Sequence, residues 1–286
     1  MISRRDATLR LVTATAAFAR PAICFAQGDE GKFDNEFKIA LEQSEEMLAT
    51  RANRDGLAEE FDLYETRAIG PRLNLSSRKI SQKAMELIRL FEVSNKDRYT
   101  SKYERPIRPG GASGVTIGIG YDLGYVTEEW LREDWAALPG GKALLSEEDL
   151  TRLVVACKVK GSDADAICAS LQMVRIDWDK ADSQFQQITL ARFIAQTLKS
   201  LPNSSELSDD SLGALVSLVY NRGPSFQKIG PRYEQMRNIH LHMVKKDYPP
   251  IPAELVQMAQ LWANTDVPGL VTRRKLEAAL FKQGLN

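Results

Sequence analysis

The chain has 286 residues, of which 43% are hydrophobic and 27% charged. That balance belongs to a folded chain with a core of its own and excludes a largely disordered one. Lys plus Arg and Asp plus Glu each number 38, and no basic stripe stands out, so nucleic acid is not an expected partner.

Residues 1–26 read as an export signal. Arg4-Arg5 form a basic head, a weakly apolar run follows from Leu9 to Phe25, and Ala26 is a small residue at a cleavage position. Ser3-Arg4-Arg5-Asp6 resembles a twin-arginine signal, although Arg10 and Arg20 interrupt the apolar run. The expected location is therefore the periplasm or outside the cell, and losing this segment tips the remainder slightly acidic. Cys24 lies in the signal, which leaves Cys157 and Cys168. These two either bridge in an oxidising compartment or pack as two free thiols in the interior. Beyond the signal, no run is long and apolar enough to span a membrane.

Residues 27–76 are a charge-rich lead-in, partly helical, with a helix expected around Phe37 to Leu48 and no chemical motif. Ile80, Ala84, Leu87, Ile88 and Phe91 then mark one face of an amphipathic helix, capped by Ser77 or Ser81 and ending in Phe91-Glu92. Asn95 to Gly114 is rich in Pro and Gly and reads as a loop. Val115 to Tyr121 alternates β-branched residues with Gly and suits a short strand. From Tyr125 onward the pattern is helical. Thr127 opens a helix holding Trp130 and Trp135, and Ser146 opens one reaching Cys157. Asp179 to Leu198 is a long amphipathic helix. Asp209 to Tyr220 is apolar on nearly every side and should be buried at the centre. Helices at Glu234–Lys246, Pro252–Ala263 and Val271–Gln283 complete the chain. The predicted fold class is mainly α, with one small β-hairpin lobe.

Four pieces carry chemistry. They are the helix ending in Phe91-Glu92; Gly114-Val115-Thr116-Ile117-Gly118-Ile119-Gly120-Tyr121; Gly213-Ala214-Leu215-Val216-Ser217 running to Tyr220-Asn221-Arg222-Gly223; and Gly269-Leu270-Val271-Thr272-Arg273-Arg274. A Glu at the end of an apolar helix face is a setting for a sheltered acid. Glycoside cleavage needs such an acid to keep its proton for the leaving oxygen. Arg273 and Arg274 either hold the fold together or contact anionic groups of a polymer. Trp130, Trp135, Trp178 and Trp262 either fill the core or stack on sugars. His240 and His242 stand apart from both Cys, so no metal site and no cofactor is expected.

In this order the four pieces resemble the phage-type lysozymes and endolysins, a family related to the bacteriocin pesticin. The resemblance spans scattered motifs between residues 78 and 283. It implies a lysozyme-like fold over 77–286, a helical bundle with a hairpin lobe, and an enzyme acting on peptidoglycan or a related amino-sugar glycan. It implies Glu92 as general acid and Thr116 as holder of the attacking water. It sets Gly118, Gly120, Tyr121, Asn221 and Arg222 along the substrate cleft, with Gly118 and Gly120 letting glycan approach the hairpin backbone. The family's second carboxylate has no clean counterpart. The stretch from Glu92 to Thr116 is longer than in the phage enzymes, and Glu104, then Asp122, are the candidates, with Asp97 the remaining acid. With no second carboxylate, a lytic transglycosylase or chitosanase on the same fold is the alternative, or a wall-binding module without activity. A monomer is expected.

Overall fold

The computed structural model describes residues 31–43, 72–111, 113–264 and 268–285. The expected export signal, and the end of the expected Phe37–Leu48 helix, lie outside them. The described chain is mainly helical with one two-stranded antiparallel sheet. Among the described residues no helix is long and apolar enough to cross a membrane.

Helix α1 (Lys32–Glu42) begins earlier than the charge pattern suggested, and it buries Phe33 and Ala40. Helix α2 (Gln82–Val93) matches the predicted stripe. Its cap is Ser81, whose hydroxyl accepts from the Ala84 amide, and not Ser77. The expected loop after it contains a helix, α3 (Lys96–Lys102), capped by Asn95, whose side chain accepts from the Arg98 amide at 2.8 Å. The expected strand at Val115–Tyr121 is a hairpin instead. Strands β1 (Thr116–Ile117) and β2 (Tyr121–Asp122) pair Thr116 with Asp122 and Ile117 with Tyr121. The chain reverses through Gly118-Ile119-Gly120, where both glycines have positive φ, a conformation costly to any residue with a Cβ.

Helices α4 (Glu128–Trp135), α5 (Glu147–Val154) and α6 (Asp163–Ser170) follow. Thr127 and Ser146 cap the first two through their hydroxyls, as their sequences suggested. Helix α5 stops before Cys157. The predicted long helix is realised as α7 (Trp178–Gln184), a π turn at Phe185–Thr189, and α8 (Leu190–Ser200). A π turn inserts one residue into the helical register and is frequent beside functional sites. Helix α9 (Asp209–Arg222) is the predicted central helix, with every residue from Ser211 to Arg222 buried. Helices α10 (Glu234–Lys245), α11 (Ile251–Met258) and α12 (Pro268–Gln283) complete the bundle.

Helix α9 packs on α2, α8 and α12, and α12 in turn packs on α1 and α11. Helix α9 meets α2 tightly at Gly213. A methyl group there would stand 2.2 Å from the Cβ of Ala84. Gly213→Ala must push the two helices apart, so we expect it to destabilise the fold by about 1–3 kcal/mol, the usual cost of overpacking a tight core. A denaturant titration reads this directly, and a loss below about 0.5 kcal/mol would show that the interface yields freely.

Cys157 and Cys168 are both free thiols, so the bridge entertained from sequence is not formed. The Cys168 thiol is turned toward the Pro106 carbonyl at 3.4 Å. Cys157 lies in the turn after α5, where burial pushes its thiol up to about 11. A thiol so shifted stays protonated and weakly reactive at neutral pH.

Candidate active site

The four sequence pieces converge on one buried carboxyl group. Glu92, on the last turn of α2, is 2% exposed. Its Oε1 accepts from Nη1 of Arg273 at 3.3 Å. Arg273 comes from α12, and three further contacts fix it. Its Nε donates to Ser217 Oγ at 3.2 Å and to Glu277 Oε1 at 3.3 Å, and its Nη2 donates to the Ser217 carbonyl at 3.1 Å. The Phe91 ring lies 5.4 Å from the guanidinium carbon. The hairpin closes over the other carboxyl oxygen. A Cβ at Gly120 would stand 2.8 Å from Glu92 Oε2 and 2.9 Å from Tyr220 Oη. The carboxyl therefore takes the space that a side chain at position 120 would fill. Tyr220 donates to the Ile119 carbonyl at 3.0 Å, which stitches the hairpin turn to α9.

Behind Glu92 the polar groups form a closed cluster. Arg274 Nη2 donates to Glu277 Oε1 at 2.8 Å and to Asn221 Oδ1 at 3.2 Å, and Ser217 Oγ donates to Glu277 Oε1 at 2.7 Å. Two guanidinium groups thus face two carboxyl groups in an interior that water does not reach. Burial pushes the Glu277 carboxyl up, while Arg274 and Arg273 pull it back.

A cavity of about 380 Å³ adjoins this cluster. Gly120, Tyr121, Asp122, Tyr125, Trp130 and Asp134 form one wall, from the hairpin and α4. The π turn and α8 form the facing wall with Thr189, Arg192, Phe193, Gln196 and Lys199, and Tyr220 completes it. Gly120 and Tyr220 both line the cavity, and Glu92, which does not, lies against Gly120. On the α4 wall, Asp134 accepts from Tyr121 Oη at 2.8 Å and pairs with Arg192 at 2.5 Å and with Arg72. Burial pushes the Asp134 carboxyl up, against the pull of Arg192 and Arg72. Burial and Asp134 together push the Tyr121 phenol well above its ordinary value, so it remains a donor. Aromatic faces with a few fixed polar groups are the usual lining of a small-molecule or sugar site.

The other predicted residues fall in two groups. Tyr121, Gly120 and Asp122 line the cavity. The Asp122 carboxylate is engaged by backbone amides, accepting from Gly124 at 2.9 Å and Gly114 at 3.0 Å, and so fixes the loop before the hairpin. Thr116 is buried, and its hydroxyl has no hydrogen-bond partner in the protein. Thr116, Gly118, Glu104, Asn221 and Arg222 are not among the residues that line the cavity. A Cβ at Gly118 would stand 2.6 Å from the Trp135 ring, so that glycine makes room for an indole of the core and not for glycan. Glu104 pairs with Arg175 at 2.6 Å. Asn221 is held by Arg274. Arg222 is folded inward between the Trp262 ring at 5.1 Å and the Tyr233 ring at 5.8 Å, and it donates to the Arg232 carbonyl. Of the four Trp, only Trp130 lines the cavity; Trp135 and Trp262 are core, and Trp178 packs edge-on against Tyr99.

Sequence reasoning missed the Arg273–Glu92 contact, which joins residues 181 positions apart, and it missed Asp134, Arg72 and Arg192. Among the described residues no group of His, Cys, Asp and Glu is arranged to hold a metal ion. No family model and no curated protein matches the sequence.

Proposed function

We propose that this chain has a lysozyme-like fold and cleaves the glycan strands of peptidoglycan, in the periplasm or outside the cell, with Glu92 as the proton donor. One observation carries the reading. Motifs spread from Phe91 to Arg274 meet around a single sheltered carboxyl group, at the edge of a cavity walled by aromatic rings. A sheltered carboxyl is what protonation of a glycosidic oxygen requires.

In this reaction Glu92 gives its proton to the leaving oxygen as the bond to the anomeric carbon breaks. In hydrolysis, water then adds to that carbon and loses its proton to a carboxylate. The resemblance assigns the holding of such a water to Thr116, whose hydroxyl no protein group engages. Tyr125, Trp130 and Phe193 are the aromatic residues along the cavity that a sugar would meet.

The way the candidate second carboxylates are engaged favours a second reading. Glu104 is committed to Arg175, and Asp122 to two backbone amides. Glu92 would then act alone, first as acid and afterwards as base, while a hydroxyl of the substrate itself closes on the anomeric carbon. That is the lytic-transglycosylase outcome.

Purified peptidoglycan incubated with the chain, with the soluble products analysed by mass spectrometry, tests both readings. New reducing ends are the expected product of hydrolysis, and anhydro-sugar ends of transglycosylation. Binding to the wall without any soluble fragment would overturn the enzyme and leave a binding module.

A further inference from the structure

Residues 72–80 have no regular secondary structure, and at their start Arg72 and Leu73 touch both walls of the cavity. At the far end Arg78 pairs with Asp209 at 2.5 Å and donates to the Leu207 carbonyl at 2.9 Å. Midway, the Ser76 amide donates to the Ala191 carbonyl at 3.2 Å. The Leu73 carbonyl accepts from Arg192 Nη1 at 2.9 Å, on the α8 wall. The segment then reaches the α4 wall. There Arg72 pairs with Asp134, and with Glu133 at 2.5 Å, and lies 5.2 Å from the centre of the Trp130 ring. Arg72 and Leu73 both line the cavity.

These contacts are exchangeable. None of residues 72–79 is buried, and Asn74, Leu75, Ser77 and Lys79 are exposed. The segment is held by ion pairs, a cation on an aromatic face and a few hydrogen bonds, with no strand ladder and no apolar anchor before Ile80. Segments with so little buried apolar contact open at low free-energy cost. The groups that Arg72 occupies are also those a ligand would want. Trp130, which Lys158 also approaches at 5.8 Å, is an aromatic ring of the cavity wall, and Asp134 is a buried carboxyl of the cavity. Asp134 keeps Arg192 and Tyr121 when Arg72 leaves, so release does not strand a bare charge.

We propose that residues 72–76 are a strap that closes the cavity from within, with Arg72 as its latch in a sugar-stacking position on Trp130. The proposal rests on the glycan reading for the identity of the ligand, though not for the existence of the latch. Glycan entry displaces Arg72, and the strap taxes affinity by the fraction of time it stays shut.

The test compares the full wild-type chain with Arg72→Ala and, from the other side of the latch, Glu133→Gln. Soluble peptidoglycan fragments are titrated calorimetrically, and hydrogen exchange is followed at the Ser76 amide. Arg72→Ala is expected to tighten fragment binding by about tenfold, the tax of a strap shut nine-tenths of the time, and Glu133→Gln to shift it the same way by less. Bound fragments should speed exchange at Ser76. Weaker binding by Arg72→Ala would overturn the latch and make Arg72 a ligand contact, as would stronger Ser76 protection on fragment binding. If neither chain binds fragments, the glycan reading fails, and exchange still decides the strap. Faster Ser76 exchange in Arg72→Ala than in wild type supports it, and equal exchange overturns it.

Discussion

Replacing Glu92 by Gln is expected to slow glycan cleavage roughly a hundred- to ten-thousand-fold, the usual worth of a positioned general acid, with the fold intact. Gln has the same shape, and its carbonyl oxygen can accept from Arg273 as Glu92 Oε1 does at 3.3 Å. It also leaves undisturbed the packing of Gly120 against the carboxyl group. What it lacks is a proton acidic enough to give to a glycosidic oxygen. The measurement is release of soluble fragments from peptidoglycan at matched protein concentration, with circular dichroism to confirm equal helicity. Glu104→Gln is the control. That carboxylate is tied to Arg175 and does not line the cavity, so its loss should leave the rate nearly unchanged. Cleavage that survives Glu92→Gln would remove the acid from the mechanism. Cleavage lost in Glu104→Gln alone would return Glu104 to the site.

The fold was legible where the side-chain pattern is repeated and local. Helix α9 announced itself by being apolar on almost every side, because a helix with no polar face can only be central. Helix α2 showed its stripe, and its cap was narrowed to Ser77 or Ser81. Helix α3 was hidden because it has seven residues and buries only Tyr99, so no period could build up. The π turn at Phe185–Thr189 was hidden for a different reason: one added residue barely disturbs the hydrophobic period of a long helix. The site divides along the same line. Glu92, Gly120 and Tyr121 sit in short motifs and could be picked out. Asp134 could not, because its meaning comes from Arg72, Arg192 and Tyr121, which approach it from other elements. Arg222 misled for a physical reason. A cation at the end of a buried helix usually reaches solvent, yet here two aromatic rings and a backbone carbonyl hold it inside.

The largest effect on stability should come from Arg273. Its side chain is fully buried and stands between Glu92 and Glu277, which are buried too. Removing one member of a buried ionic group typically costs about 3–5 kcal/mol, because the Glu277 carboxyl stays behind with one cation fewer to compensate it. Arg273→Met keeps most of the volume and deletes the guanidinium, so the loss reads as electrostatics and hydrogen bonding more than as a cavity. For a domain of this size that is a fall in Tm of roughly 6–20 °C. Arg132→Ala is the comparison. It breaks exposed pairs with Glu128 and Glu147, and such solvent-screened pairs contribute little to stability. An Arg273→Met variant that loses less than about 1 kcal/mol would mean the cluster relaxes around the missing cation, and Glu92 would then need some other group to hold it against the hairpin.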